Sequence, residues 1–211
     1  MDNKMSVKYH LELMSEVRAH ARPMTQSQKE KHESYIGTTK TCYAINADTE
    51  RHIVREWINK HQDLNVSEFV ELLNSLYRGE SCNEISLAGE LLECLPKLRK
   101  NLDPEYLDAW LNKVQGWAEV DSICQSKFSA TEVLAKWKKW KQLLRKLATD
   151  GNAHKRRASL VLLTKPVRDS GETKLADLAF ANIHKLKRDR DMLVTKAVSW
   201  LLRGLIKNHK Q

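Results

Sequence analysis

Seven glycines and four prolines in 211 residues supply too few turns for a barrel or sandwich of many short strands, and suit helices joined by tight connections. Cysteine is scarce and dispersed. Cys42, Cys82, Cys94 and Cys124 form no CxxC pair, and none of the histidines stands at ligand spacing from them. The expectation is therefore no metal and reduced, mostly buried thiols. Long apolar runs are missing too. No stretch approaches the roughly 18–20 residues that a membrane span needs, and the opening MDNKMSVKYHLELMSEVRAH lacks the apolar centre of a signal peptide. These absences predict a cytoplasmic protein without a membrane partner. Hydrophobic residues at 41% against 30% charged exclude a disordered chain.

What is present is positive charge, unevenly placed. Residues 1–131 carry 16 Lys and Arg against 20 Asp and Glu, whereas residues 132–211 carry 20 against 7. A basic half of this kind fits a polyphosphate partner, with a solvated, solubility-promoting surface as the alternative.

Nearly every segment has helical period, with apolar residues at i, i+3, i+4 and i+7. VSEFVELLNSLYRG aligns Val66, Phe69, Val70, Leu73 and Leu76 and stops at Gly79. ISLAGELLECLPKL runs until Pro96 limits it. DPEYLDAWLNKV offers Asp103 as an N-cap and Pro104 at the first helical position. SATEVLAKWKKWKQLLRKLATDG opens on a capping box of Ser129 and Glu132 and reads as one helix to Gly151. The predicted fold is all-α. Helices recur at roughly twenty-residue intervals and pair into units of about forty, the range of a HEAT-like (ARM-type) α-solenoid with a concave face. Successive basic helices would give that face a basic groove suited to a polyphosphate, with an ordinary helical bundle as the alternative architecture. We expect one domain over residues 1–211: N-terminal helices to residue 34, then the repeat array.

Four stretches carry candidate chemistry. GWAEVDSICQ puts Trp117 and Asp121 four residues apart, on one helical face. AHKRRASLVLL starts an apolar helix with Arg156 and Arg157. VTKAVSWLLRG sets Trp200 on a face with Lys196 and Arg203, and ESYIGTTKTCYAINADTER holds Tyr35 and Asn46 in a polar, turn-rich segment. Each has a plainer alternative: a core tryptophan beside a solvated carboxylate, exposed arginines near a helix start, a surface indole under basic stems, ordinary loop residues.

Taken in order, the W-x-x-x-D of GWAEVD, the R-A-x-x-L of KRRASLV and the T-K-A-x-x-W-x-L-R of TKAVSWLLR resemble the AlkD-like DNA alkylation repair family of HEAT-like-repeat DNA glycosylases. The resemblance runs from about Tyr35 to the C-terminus. It implies hydrolysis of the N-glycosidic bond of cationic alkylated purines, 3-methyladenine and 7-methylguanine, in double-stranded DNA, without a cofactor and as a monomer. By position, Trp117 and Trp200 match the tryptophans framing the lesion's deoxyribose, Asp121 the catalytic aspartate and Arg157 a phosphate-contacting arginine. Tyr35 and Asn46 fall where the family's N-terminal segment approaches the duplex. There the chain departs from the family: in place of an F-P-F-x-G-I stretch it reads TKTCYAIN, keeping Ile45 without the proline or glycine.

The resemblance also implies that the lesion can stay stacked and be held from the backbone instead of being flipped into a pocket. Phosphate contacts are expected from the basic half, at Lys136, Lys138, Lys139, Arg156, Arg157, Lys185, Lys187 and Arg188, with Lys196 and Arg203 flanking Trp200. The alternative function is a non-catalytic DNA-binding protein of the same family.

Overall fold

The computed structural model describes residues 2–208, with side chains from residue 5. Among the described residues it contains thirteen helices and no strand, as the periodicity predicts. The chain divides into two compact units, residues 1–102 and 103–211.

The first unit contains α1 (Asp2–His20), α2 (Gln26–Ile36), α3 (Ala47–Lys60), α4 (Val66–Tyr77), α5 (Cys82–Cys94) and the single-turn α6 (Pro96–Arg99). Helix α4 packs on α1 and α5, and α3 packs on the same two. The apolar residues Phe69, Leu72, Leu73 and Leu76 of α4 are fully buried, as are Leu13 and Val17 of α1 and Leu87 and Leu91 of α5. Helix α2 is different: it buries no side chain, and it is held at its start by a Thr25–Gln28 capping box and at its end by Gly37 in the left-handed region (φ 79°).

Gly79 follows α4 where the sequence places a stop, and it has a second duty. A Cβ there would lie 2.2 Å from the Glu84 carboxylate. That carboxylate closes the α5 capping box, accepting from the Ser81 backbone at 2.7 Å and from the Ser81 hydroxyl at 2.6 Å, and it also meets His10 Nε2 at 2.7 Å. Burial works against its charge, but the bonds from His10 and Ser81 outweigh burial and hold Glu84 below the usual carboxylate range. Gly79→Ala therefore displaces a buried, fully bonded carboxylate and should cost about 1–3 kcal/mol, measurable by urea denaturation. Because the Glu84 pKa is depressed, that contribution is present at neutral pH and fades as pH falls through its folded value. The Gly79→Ala deficit should fade with it.

The second unit contains α7 (Tyr106–Leu111), α8 (Trp117–Cys124), α9 (Ala130–Ala135), α10 (Trp137–Leu147), α11 (Ala153–Asp169), α12 (Thr173–Leu186) and α13 (Met192–Asn208). Helix α11 is its axle, contacting each of the other six. That explains why LVLL and its neighbours are apolar all round: Ala158 to Thr164 are all buried. Helix α13 comes closest. A Cβ at Gly204 would meet the Thr164 carbonyl at 3.2 Å, so glycine is what allows the approach.

Two boundaries in the second unit differ from the sequence expectations. Asp103 accepts from Glu105 N–H at 3.2 Å and closes a turn ahead of α7, so the helix starts two residues past Pro104. The stretch expected as one helix after Ser129 breaks at Lys136 (φ −120°, ψ 38°) into α9 and α10, although its Ser129–Glu132 capping box is present.

The thiol expectation is corrected. Cys42 and Cys82, 40 residues apart in sequence, form a disulfide with a Cα–Cα distance of 5.2 Å, while Cys94 and Cys124 take no part in one. Their approach follows from backbone pairing that sequence spacing cannot report. Cys82 N–H donates to Thr41 O at 2.9 Å, and the buried Asn83 side chain accepts from Tyr43 N–H at 2.7 Å while donating to Tyr43 O at 3.2 Å.

Candidate functional site

The site is built on α8, α11 and α13 of the second unit. Helix α8 opens at Gly116, which has no side chain to cap it. Glu119 compensates, its Oε2 accepting from Gln115 N–H at 3.0 Å just ahead of the helix. This fixes the entry to α8 and sets Trp117 at its first position, half-buried, one turn ahead of the buried Asp121.

Both Asp121 oxygens accept from one guanidinium. Arg157 Nε lies 3.0 Å from Oδ1 and Nη2 lies 2.7 Å from Oδ2, while Nη1 donates to the Leu193 carbonyl of α13 at 2.7 Å. One arginine on the axle helix thus ties α8 to the first turn of α13. The fork-to-carboxylate geometry is the strong, orientation-fixing kind. Both side chains are buried, with side-chain exposures of 10% for Asp121 and 7% for Arg157. A carboxylate offers about four lone-pair sites and a guanidinium five N–H groups, so neither partner is saturated. Asp121 keeps lone pairs for another donor, and Arg157 keeps N–H groups.

Burial raises the Asp121 pKa above the ordinary aspartate value; the hydrogen bonds and charge of Arg157 pull it back without cancelling the rise. Burial also holds the Cys124 thiol well above its ordinary value, the negative charge of Asp121 adding to the effect. Cys124 is therefore a thiol at neutral pH, which removes it as a nucleophile.

Trp200 lies on α13, half-buried, two helical turns beyond Leu193, and Lys196 and Arg203 are exposed on either side of it in sequence. The four stretches are thus treated differently by the fold. Asp121 and Arg157 meet directly, Trp117 stands on the turn before Asp121, and Trp200 rides on the helix whose start Arg157 holds. Arg156 faces another way: Nε and Nη2 grip Asp189 at 2.7 and 3.1 Å, and Nη1 donates to the carbonyls of Asp150 and Gly151. Of the other basic candidates, Lys139 pairs with Asp103 at 2.5 Å, and Lys138, Lys185, Lys187 and Arg188 are exposed.

Tyr35 and Asn46 belong to the first unit. Tyr35 lies inside α2, 68% exposed, instead of in a turn. Asn46 caps α3, its Oδ1 accepting from Thr49 N–H at 2.8 Å.

One neighbour escaped sequence reasoning. His154, a turn before Arg157 on α11, is hydrogen-bonded to the Gln115 backbone, and burial lowers its pKa against the opposing charges of Asp191 and Glu119. It is a neutral ring at pH 7, beside the Gln115–Glu119 entry to α8. In AHKRR it reads as one more cationic residue.

A family model for DNA alkylation repair enzymes matches residues 13–211. The chain belongs to that family. No curated protein matches it closely enough to be named as a relative. Membership of the DNA alkylation repair family supports a role in DNA repair, with DNA as the partner, and the matched span includes α8, α11 and α13 in full. No described helix is long and apolar enough to cross a membrane.

Proposed function

We propose that this protein is a DNA glycosylase that removes cationic alkylated purines, 3-methyladenine and 7-methylguanine, from double-stranded DNA, with Asp121 as the catalytic carboxylate. The observation that carries the reading is the buried carboxylate held by the Arg157 fork one turn from Trp117, in a DNA alkylation repair family member.

The chemistry asks little of the enzyme at the leaving group. Alkylation at N3 or N7 makes the purine cationic, so when the C1′–N bond breaks its electron pair neutralises the base and no acid is needed. Positive charge then develops on the sugar, as in oxocarbenium-like glycoside hydrolysis. An ionised Asp121 stabilises that charge, and a remaining lone pair orients the water whose oxygen bonds to C1′. The water's proton passes to Asp121 or to solvent. Arg157 supports this by keeping the buried carboxylate ionised and aimed, and its uncommitted N–H groups are the candidates for a flanking phosphate. Indole faces at Trp117 and Trp200 exclude water and favour the cationic C–H edge of the sugar.

In this reading the helix pairs are HEAT-like repeats. The exposed cations Lys138, Lys185, Lys187, Arg188, Lys196 and Arg203 contact phosphates along a basic groove, while Arg156 keeps its place through Asp189. Tyr35 and Asn46, in the first unit, are further candidates for contact with the duplex. Phosphate contacts position a protein without reading sequence, so binding should be sequence-indifferent and weaken steeply with salt. Lys196→Ala and Arg203→Ala should each flatten the slope of log affinity against log salt by about 1, as read by fluorescence anisotropy on an undamaged duplex.

Selectivity tests the reading. Only a base that departs neutral leaves without acid help, so 7-methylguanine should be released and uracil or hypoxanthine left in place. Release of uracil as fast as 7-methylguanine would overturn the mechanism.

A further inference from the structure

Outside the α8–α11–α13 site, one cluster places three metal-ligating side chains at a single point. A ring nitrogen of His32 and the sulfurs of Cys42 and Cys82 all lie within 4.8 Å of one another, each residue half-buried. The three come from α2, the segment after it and the first position of α5. A disulfide accounts for the two sulfurs but leaves the convergent imidazole without a purpose.

We propose that His32, Cys42 and Cys82 form a redox-gated zinc site, independent of the glycosylase reading. With the cysteines reduced, two thiolates and one imidazole bind Zn²⁺. With the cysteines oxidised, the same sulfurs are joined to each other, as seen here, and the ion is excluded.

The geometry suits the ion. Zinc–sulfur bonds of about 2.3 Å and zinc–nitrogen bonds of about 2.0–2.1 Å in a tetrahedron put the ligand atoms roughly 3.5–3.8 Å apart, within the spread of this cluster once the sulfurs separate. The backbone around Cys42 and Cys82 is already held together by the Thr41–Cys82 and Tyr43–Asn83 hydrogen bonds. Cys82 opens a 13-residue helix, whose positive end favours a negatively charged sulfur. His32 and Cys42 also line a cavity of about 250 Å³ in which Glu33 is the one carboxylate among the described residues, a candidate for the fourth ligand. Two thiolates with an imidazole are the borderline-soft set that zinc takes in preference to magnesium or calcium.

The switch balances. A dithiol reductant delivers two electrons and two protons to the Cys42–Cys82 bond and is itself oxidised to a disulfide; Zn²⁺ then displaces the two thiol protons to solvent. Because α2 buries no side chain of its own, the His32–zinc bond would fasten α2 to α5, and oxidation would release it.

The test uses the full chain, reduced and then freed of reductant under anaerobic conditions, titrated with zinc against a chromophoric chelator and separately with cobalt. We expect one zinc per chain, a thiolate-to-cobalt charge-transfer band, and zinc-dependent protection of α2 from limited proteolysis. The disulfide form should bind none. Cys42→Ser and Cys82→Ser should each abolish the cobalt band, and His32→Ala, on an exposed helix where folding is not at risk, should weaken zinc by about tenfold or more. Cys94→Ser should change nothing. A reduced protein that binds no zinc, or zinc binding that survives Cys82→Ser and His32→Ala alike, overturns the proposal.

Discussion

Asp121→Asn should lower single-turnover release of 7-methylguanine by about 10²–10³-fold, the scale expected when one preorganised electrostatic group is removed from a transition state. The asparagine keeps the size of the carboxylate and one acceptor oxygen, but it turns an amide N–H toward the Arg157 fork, whose Nε and Nη2 both donate to Asp121. Some stability is therefore lost as well, about 1–3 kcal/mol for one buried donor left unpaired. The melting temperature must be recorded beside the rate so that unfolding is not taken for lost chemistry. DNA affinity should be unchanged or slightly tighter, because the substitution deletes a negative charge near a phosphate-binding surface. A fall in rate with intact folding and binding identifies a catalytic group; a parallel fall in binding would identify a structural one.

Arg157→Met should strongly destabilise the second unit. It keeps the long apolar stem but leaves Asp121 buried without its partner, and breaking a buried ion pair from one side costs about 3–5 kcal/mol. The pH dependence has a definite sign. Burial already raises the Asp121 pKa and Arg157 is what opposes the rise, so removing it raises the pKa further. A carboxyl whose folded pKa lies above its unfolded value binds more protons in the folded state, and stability falls as pH rises from the unfolded toward the folded pKa. The variant's deficit should be full above its folded pKa and shrink on acidification. Its activity should show an acid limb displaced to higher pH than that of the wild type, whose own limb already lies above the ordinary aspartate value. Asp121→Asn in the Arg157→Met background should recover part of the lost stability, because the unpaired charge is gone. A merely structural arginine would not move the acid limb.

Much of the local architecture is legible in the sequence, because caps and apolar periods act over a few residues. The Ser129–Glu132 capping box, the stop near Gly79 and the α4 stripe all stand where the pattern puts them. What acts across the chain is not legible. Nothing in GWAEVD announces that a side chain 36 positions away will take both Asp121 oxygens, and Arg157 taken alone reads as a phosphate contact. The break at Lys136 has no glycine or proline to mark it. The pairing of Cys42 with Cys82 depends on Asn83 and Thr41 bringing two segments side by side, which the spacing of cysteines does not encode. His154 hides because a histidine next to Lys155, Arg156 and Arg157 looks like part of a basic run, whereas burial makes it neutral.

The measurement that bears most directly on the proposed function is base release from a methylated duplex by the wild-type protein, followed by chromatography of the free base and by alkaline cleavage at the abasic site left behind. The account predicts free 7-methylguanine and 3-methyladenine in step with abasic sites, with the phosphodiester backbone intact until alkali is added. Salt-sensitive binding to the same duplex with no base released would contradict it and leave a DNA-binding protein without glycosylase chemistry.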